Sequence, residues 1–188
     1  MKRGKAAGLD SITVEHLLNC HPAIYSLLSK LFNLMIRNGF VPDDFGRSYT
    51  VPLPKCNAAS KAMSTDDFRG ISISPVLSKI FENCILNRYR EFLVTSDCQF
   101  GFKNGMGCSH AIYSLRCVID SYINSGSTVS ICALDLKKAF DKVNHHGLFM
   151  KLMDRLIPNN LLSVLENWYQ SCTTCVKWGN IYLCFFKL

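Results

Sequence analysis

The sequence lacks several features that would assign it to a common protein class. It has no G-x-x-x-x-G-K-[ST] phosphate loop and no G-x-S-x-G nucleophile motif, so neither a P-loop nucleotidase nor an α/β-hydrolase is indicated. No apolar run approaches the roughly 20 residues that a membrane-spanning helix needs. The basic start at Met1–Lys5 is not followed by a signal-peptide core, and no repeat or low-complexity linker is visible. The protein is therefore expected to be intracellular and not membrane-bound.

Acidic residues are also scarce relative to basic ones. The chain has 14 Asp and Glu against 21 Lys and Arg, which gives a formal net charge of +7. With 48% hydrophobic and 19% charged residues, its 188 residues can form one domain with a core, or part of a larger one. The positive charge is spread along the chain, which suits a surface that faces a polyanion.

The ten cysteines do not form the spacing pattern of a disulfide framework. Because they are scattered over predicted helices and strands, we interpret them as reduced, small hydrophobic residues. Cys172 and Cys175 have a metal-ligand spacing, with His145 and His146 upstream, so structural zinc is an alternative. No second paired Cys or His motif completes a four-ligand site, however.

Hydrophobic periodicity and turn residues predict a mixture of helices and strands. A first helix capped by Asp10 or Ser11 is expected to run through Leu18, and a second to follow Pro22 and end at Gly39. Ser74–Pro75 is expected to begin a helix, as is Ser109, whose Ile112, Leu115, Ile119 and Tyr122 should face a core. Further helices are predicted at 147–156 and 160–169, with strands at 173–178 and 181–188 joined by a turn at Gly179–Asn180.

The segments Tyr49–Lys55 and Phe68–Ile73 are predicted to pair as a hairpin that carries Lys55 and Arg69. Its two prolines cannot donate ladder hydrogen bonds, so the first strand is expected at a sheet edge. Two cations on one hairpin can hold an anion, and arginine can bind a phosphate with two parallel hydrogen bonds. The alternative is that both are ordinary solvated surface charges.

A short β-prone run, Thr128–Leu134, is predicted to be a buried strand that ends at Asp135. Ligands often bind just beyond the carboxyl ends of strands, so a carboxylate there can hold a metal ion. The following Lys137–Asp141 connection offers backbone N–H groups and two lysines to an anion. The alternative is that Asp135 caps a helix and that Phe140 belongs to the core. The upstream loop 99–107, with three glycines and two aromatic residues, either approaches a nucleic-acid chain or simply joins two helices.

The order of these motifs resembles the reverse transcriptase domain of non-LTR (LINE-type, jockey-like) retrotransposons. The resemblance covers essentially the whole chain and depends on five segments in family order. These are Gly4–Ile12, Val51–Lys55, Phe68–Ser72, Gln99–Phe102 and Leu134–His145. It implies an α+β right-hand polymerase fold with fingers and a partial palm. Residues 1–125 would form the fingers and part of the palm, and residues 126–188 would form palm with the first catalytic aspartate.

The resemblance also implies roles for individual residues. Asp135 would be the catalytic residue and a ligand of two Mg²⁺ ions, and Phe140 would pack under the deoxyribose and exclude a 2′-hydroxyl. The dNTP triphosphate would be bound by Lys55 and Arg69 and by backbone amides at Lys138 and Ala139. The template path would be lined by Gln99, Gly101 and Phe102. The implied partners are an RNA template, a DNA primer and dNTP.

Two departures from the family pattern stand out. Gly70 occupies the position where the family usually has proline, and the motif with the remaining metal carboxylates, Tyr-x-Asp-Asp, does not occur in the sequence. We therefore expect a polymerase fragment, truncated at both ends, that is inactive alone and prone to self-association through an incomplete sheet. It would act in the nucleus or in a cytoplasmic ribonucleoprotein. The alternative is a remnant that binds RNA or a partner protein without catalysis.

Overall fold

The structure, a computed structural model, describes residues 1–55 and 64–188. These residues form two units, the first made of Met1–Phe92 with Phe149–Leu188 and the second of Leu93–Leu148. Both helices and strands are present, which confirms the mixed α+β class predicted from the sequence. Within the described residues, no helix is long and apolar enough to span a bilayer.

Helices and strands alternate irregularly along the chain. In chain order, the helices are α1 (Val14–Leu18), α2 (Ala23–Asn38), α3 (Asp43–Gly46), α4 (Val76–Arg88), α5 (Cys108–Asn124), α6 (His145–Asp154) and α7 (Asn159–Ser171). The strands are β1 (Arg47–Pro54), β2 (Phe68–Ile73), β3 (Thr173–Trp178), β4 (Ile181–Tyr182) and β5 (Phe186–Lys187). The second unit contains α5, and α6 crosses the boundary between the units.

The helix ends follow capping chemistry, although not always at the predicted residue. The prediction for α2 is confirmed, since Gly39 follows the helix with a left-handed φ of 63° that glycine adopts easily. The predicted cap of α1 at Asp10 or Ser11 is wrong. The Thr13 hydroxyl accepts the hydrogen bond from the His16 N–H instead, because Ser11 lies in a turn with a φ of 58°.

The sheet is built around β1, which lies between β2 and β3. β1 pairs antiparallel with β2, as predicted for the hairpin, and its Arg47–Thr50 half pairs parallel with β3. Pro52 and Pro54 lie in the other half, which pairs with β2 alone, so the edge position predicted from the prolines is confirmed for that half only. Within the first half, Tyr49 and Thr50 pair with strands on both sides, whereas Arg47 and Ser48 pair with β3 alone.

The predicted C-terminal hairpin is present but shorter than expected. Gly179, with a φ of 59°, turns the chain so that Trp178 lies opposite Ile181. The predicted strand 181–188 is divided into β4 and β5, both of which pair with β3. Lys177 of β3 lies 5.3 Å from the ring centre of Tyr49 and 5.1 Å from that of Tyr182. A hydrogen bond with Tyr182 raises the pKa of Lys177 above its usual value.

Four aromatic rings form the centre of the first unit's core. Phe81 of α4 is fully buried and packs against Phe32 at 5.0 Å, Trp168 at 5.5 Å and Phe45 at 6.2 Å between ring centroids. These residues belong to α2, α3, α4 and α7, so the cluster joins four helices. Such rings contribute both a large buried apolar area and favourable edge-to-face contacts.

The second unit has no comparable core, since none of its residues is buried. The prediction that the apolar side of α5 faces inward is therefore wrong for Ile112, Leu115 and Tyr122, which are all exposed. An amphipathic helix buries its apolar side only against a second layer of structure. Residues 93–148 provide α5, the start of α6 and irregular segments, but no such layer.

The predicted strand Thr128–Leu134 is also wrong, since the structure has irregular backbone at residues 127–136. Leu134 is 92% exposed and Leu136 is 78% exposed. A β-strand needs a neighbouring strand to pair its backbone groups, and none of the described residues provides one here. Asp135 therefore lies on an exposed loop rather than at the end of a buried strand.

Candidate functional site

The hairpin of the first unit brings Lys55 and Arg69 together. Leu53 lies opposite Arg69, and the Lys55 N–H donates a 2.8 Å hydrogen bond to the Asp67 carbonyl, which continues the ladder by one pair. Lys55 and Arg69 are therefore diagonal neighbours on the same side of the hairpin, where Cβ atoms are typically somewhat less than about 7–8 Å apart. This spacing allows both side chains to reach one phosphate group or two adjacent ones.

The charges of this hairpin pair, Lys55 and Arg69, are not neutralised by an ion pair with another described residue. The Lys55 ammonium donates to the Asp66 carbonyl, which holds it at the end of the hairpin. The nearby Asp67 carboxylate accepts from the Ser64 N–H at 2.8 Å and from its hydroxyl at 3.1 Å. Asp67 is thus used to cap the turn that leads into β2, and the two cations are exposed to solvent.

Gly70, beside Arg69, has a packing role that the sequence does not indicate. It lies opposite Pro52, and a Cβ atom added to it would lie 2.9 Å from the Thr50 Cγ2 atom. The Thr50 hydroxyl is within 2.8 Å of the Ser72 hydroxyl and 3.1 Å of the Thr174 hydroxyl. The absence of a side chain at Gly70 therefore leaves room for a threonine that links three strands.

The remaining predicted site residues lie in the second unit, mostly on its exposed loop. Asp135 and Phe140 are both exposed. The chain forms a turn at residues 137–142, which includes Phe140. Lys138 has a left-handed φ of 53°, and its carbonyl accepts a 3.2 Å hydrogen bond from the Lys142 N–H. This turn shapes the backbone around Lys138 and Ala139, where the resemblance places the triphosphate-binding amides.

Phe102 and Phe140 are in contact, although they belong to different sequence motifs. Their ring centroids are 6.2 Å apart with an interplanar angle of 86°, an edge-to-face arrangement. Phe102 is 93% exposed and Phe140 is 77% exposed, so the contact buries little of either ring. The spacing of the motifs gave no signal for this contact. We call Phe102 and Phe140 the aromatic pair.

Polar groups hold the chain on both sides of Phe102. The Gln99 side-chain amide donates a 3.2 Å hydrogen bond to the Gly101 carbonyl. The Lys103 ammonium donates a 2.7 Å bond to the Ser96 carbonyl and lies 3.8 Å from the Asp97 carboxylate. These local bonds lie on both sides of Phe102, whose ring is largely exposed to solvent. The predicted template-path residues Gln99, Gly101 and Phe102 are thus brought together.

The described residues do not fit the two-ion metal centre that the resemblance implies. Mg²⁺ prefers several oxygen ligands in octahedral geometry. Among residues 1–55 and 64–188, no group of three or more His, Cys, Asp or Glu side chains is arranged to hold a metal ion. Asp135 offers one exposed carboxylate, and its role as a metal ligand remains a prediction. Cys172 and Cys175 belong to no such group either.

Comparisons with known proteins agree with the sequence motifs. A protein family described as reverse transcriptase (RNA-dependent DNA polymerase) matches residues 53–185. The chain is 25% identical over 182 residues to a probable RNA-directed DNA polymerase from transposon BS of Drosophila melanogaster, which covers 95% of this chain and 20% of that protein. It is 27% identical over 179 residues to the RNA-directed DNA polymerase from mobile element jockey of Drosophila funebris. That match covers 89% of this chain and 19% of the relative.

Another relative is a putative 115 kDa protein in the type-1 retrotransposable element R1DM of Drosophila melanogaster. It is 31% identical over 164 residues, which are 82% of this chain and 15% of that protein. The chain thus spans about a fifth or less of the length of these relatives. The matched region nevertheless includes both the hairpin pair and the exposed loop with Asp135.

Proposed function

Because the chain belongs to the reverse transcriptase family, we propose that it forms the fingers and part of the palm of a non-LTR retrotransposon polymerase. Such an enzyme transfers a nucleotide from dNTP to a primer 3′-hydroxyl on an RNA template. The register of the hairpin pair is the observation that supports this function best. It presents two exposed cations side by side, and polyphosphates are bound by such groups.

In this proposal, Arg69 and Lys55 bind the triphosphate of the incoming nucleotide. The planar guanidinium of Arg69 can donate two parallel hydrogen bonds to one phosphate group, and the Lys55 ammonium supplies a compact second charge. Backbone N–H groups around Lys138 and Ala139 would contact the same triphosphate. The flat ring of Phe140 would lie under the sugar and reject a 2′-hydroxyl by steric clash.

Catalysis in this family requires divalent ions, which activate the attacking hydroxyl and neutralise the leaving phosphates. We propose that this chain alone does not catalyse that transfer, because Asp135 is the one carboxylate to which the resemblance assigns metal binding in this sequence. The chain would therefore bind a nucleotide without extending a primer. Incubation of the purified chain with primer, RNA template, dNTP and Mg²⁺ should give no longer product. Extension that is lost in Asp135→Asn would contradict this.

Nucleotide binding is tested by titrating the chain with a fluorescent dNTP and following its anisotropy. Loss of a charge-assisted hydrogen bond in an exposed site lowers affinity by about tenfold, so Arg69→Gln should weaken binding by that factor. Arg37→Gln is the matched control, since Arg37 is also exposed but lies on α2. Equal affinities of the two variants would show that Arg69 does not bind the triphosphate.

A second candidate function, RNA binding without catalysis, is favoured by the aromatic pair. Exposed aromatic rings stack on unpaired bases and contribute about 1–3 kcal/mol per base. Together with a net charge of +7, this predicts weak, sequence-independent binding of single-stranded RNA that falls steeply with added salt. Phe102→Ala should reduce that affinity by about fivefold or more. An affinity for single-stranded RNA that changes neither with this substitution nor with the salt concentration would exclude this second function.

A further inference from the structure

The first unit contains a cavity of about 350 Å³ whose wall carries three lysines. Lys2 and Lys5 come from the N-terminal segment, and Lys79 comes from α4. Thr13 and Ser74 add polar groups to the wall, and no Asp or Glu contributes to it. The size is within the range of small-ligand pockets in proteins. None of the residues of the hairpin pair lines this lysine cavity.

Contacts of the N-terminal segment hold it against the first unit near the cavity. Gly8 packs so closely on Pro75, the residue before α4, that an added Cβ would lie 2.8 Å from the Pro75 Cα atom. The Tyr49 hydroxyl donates a 3.0 Å hydrogen bond to the Ala7 carbonyl, which ties the same segment to the sheet. These contacts fix the segment that carries Lys5 against the start of the helix that carries Lys79.

A further hydrogen bond engages Glu15, an acidic residue close in sequence to the N-terminal segment. The Gly4 N–H donates a 2.7 Å hydrogen bond to the Glu15 carboxylate, and this bond lowers the pKa of Glu15. Glu15 does not line the cavity, and neither does Glu82, which lies one turn beyond Lys79 on α4. The local acidic groups therefore anchor the surrounding chain or lie outside the cavity.

Three lysine residues line the cavity, and no Asp or Glu belongs to its wall. None of them forms an ion pair with another residue in the described parts of the chain. Like charges that lie near one another repel, and an anion bound among them offsets that repulsion. Hydroxyl groups such as those of Thr13 and Ser74 donate hydrogen bonds to anion oxygens as well.

We propose that the lysine cavity binds a phosphate group, carried either by a nucleic-acid backbone or by a small phosphorylated molecule. A phosphate fits the observed wall because it accepts several charge-assisted hydrogen bonds in different directions at once. The site is distinct from the dNTP-binding hairpin and needs no metal ion. It stands whether or not the chain binds dNTP, since no residue of the hairpin pair contributes to it.

The test compares two variants that lose the same charge. The cavity variant is K2Q/K5Q/K79Q, and the control variant is K30Q/K151Q/K187Q, whose three lysines are exposed and lie outside the cavity. Each is titrated with inorganic phosphate, with tripolyphosphate and with a fluorescent single-stranded RNA, at several salt concentrations. Circular dichroism verifies that both variants are folded like the parent chain.

The cavity variant should lose tenfold or more in affinity for at least one phosphate probe, and the control variant should lose much less. Loss of RNA binding alone, with a salt slope lower by about 2 because three backbone contacts are removed, identifies the nucleic-acid backbone as the source. Loss of inorganic phosphate or tripolyphosphate binding alone identifies a small phosphorylated ligand, and loss of binding to all probes shows that the site accepts either source.

Lys79→Arg keeps the charge and should retain binding that Lys79→Gln weakens. Equal affinities of the cavity and control variants for every probe would overturn the proposal.

Arg69→Gln, in a separate arm, reports on the hairpin pair. If it weakens dNTP binding while the cavity variant behaves like its control, the cavity proposal fails and the proposed function stands. If instead the cavity variant loses phosphate binding while Arg69→Gln leaves dNTP binding unchanged, the cavity proposal stands. The hairpin pair then no longer supports the polymerase assignment.

Discussion

Replacement of Phe81 by alanine should destabilise the first unit severely. The ring is fully buried and contacts Phe32, Phe45 and Trp168. Phe→Ala substitutions in protein cores cost about 3–5 kcal/mol, which includes the lost transfer free energy and the cavity that remains. Because three aromatic contacts are lost together, we expect a value near the upper end of that range. This is a large share of the 5–15 kcal/mol that typically stabilises a domain.

Phe40→Ala is the matched control, because it removes the same side chain from a position in the same unit that is 53% exposed. A half-exposed ring gives up about half of its transfer free energy and leaves no internal cavity, so about 1 kcal/mol should be lost. The two substitutions therefore differ in burial rather than in chemistry.

Urea unfolding followed by tryptophan fluorescence measures both variants, since Trp168 and Trp178 both belong to the first unit. With an m-value of about 2 kcal/mol/M, the unfolding midpoint of Phe81→Ala should fall by about 2.5 M and that of Phe40→Ala by about 0.5 M. Equal shifts, or a shift for Phe81→Ala below that of the control, would refute the conclusion that the four-ring cluster stabilises this unit.

Three further predictions concern the exposed loop and the sheet edge. In a longer chain that carries the family's remaining metal-binding motif, Asp135→Asn should lower primer extension by orders of magnitude with unchanged folding, and near-normal extension would contradict the proposed catalytic role of Asp135. In the same longer chain, Phe140→Ala should raise the ratio of rNTP to dNTP incorporation, whereas an unchanged ratio would mean that Phe140 does not contact the sugar. The apolar edge around Ile181 and Tyr182, which are 67% and 46% exposed, should promote self-association of this chain. Ile181→Lys should reduce the sedimentation coefficient at high concentration, and no change would exclude this edge as the contact.

The local elements of the first unit could be predicted because their signals are local. The apolar stripe of α2, its terminal Gly39 and the hairpin with its prolines each depend on residues close in sequence. Errors occurred where two local signals compete. Thr13, rather than Asp10 or Ser11, caps α1 because the chain turns at Ser11 before the helix begins. The parallel pairing of β1 with β3 was not predicted, since no sequence pattern specifies which distant strand is a neighbour.

The sequence indicates which residues belong to the candidate site, but it does not indicate which distant segments contact one another. The diagonal arrangement of Lys55 and Arg69 follows from a hairpin register that the sequence indicates. The contact between Phe102 and Phe140 joins two motifs, and the lysine cavity joins the N-terminal segment to α4. Neither has a periodic signal, because both depend on how separate segments meet in the folded chain.

The wrong prediction for Thr128–Leu134 concerns the segment that carries Asp135 and the neighbouring structure that this segment would need to form a strand. Its alternating and β-branched residues suit a strand, yet a strand forms only when a neighbour pairs with its backbone. Leu134 and Leu136 are largely exposed on either side of Asp135, and burial of each would contribute about 1.5–3 kcal/mol. A structural layer that covered these leucines and paired with this backbone would therefore also restrict the Asp135 carboxylate to one position. The same event would supply the fixed geometry that a metal ion requires, so we expect the proposed metal-binding role of Asp135 to depend on the burial of its neighbours.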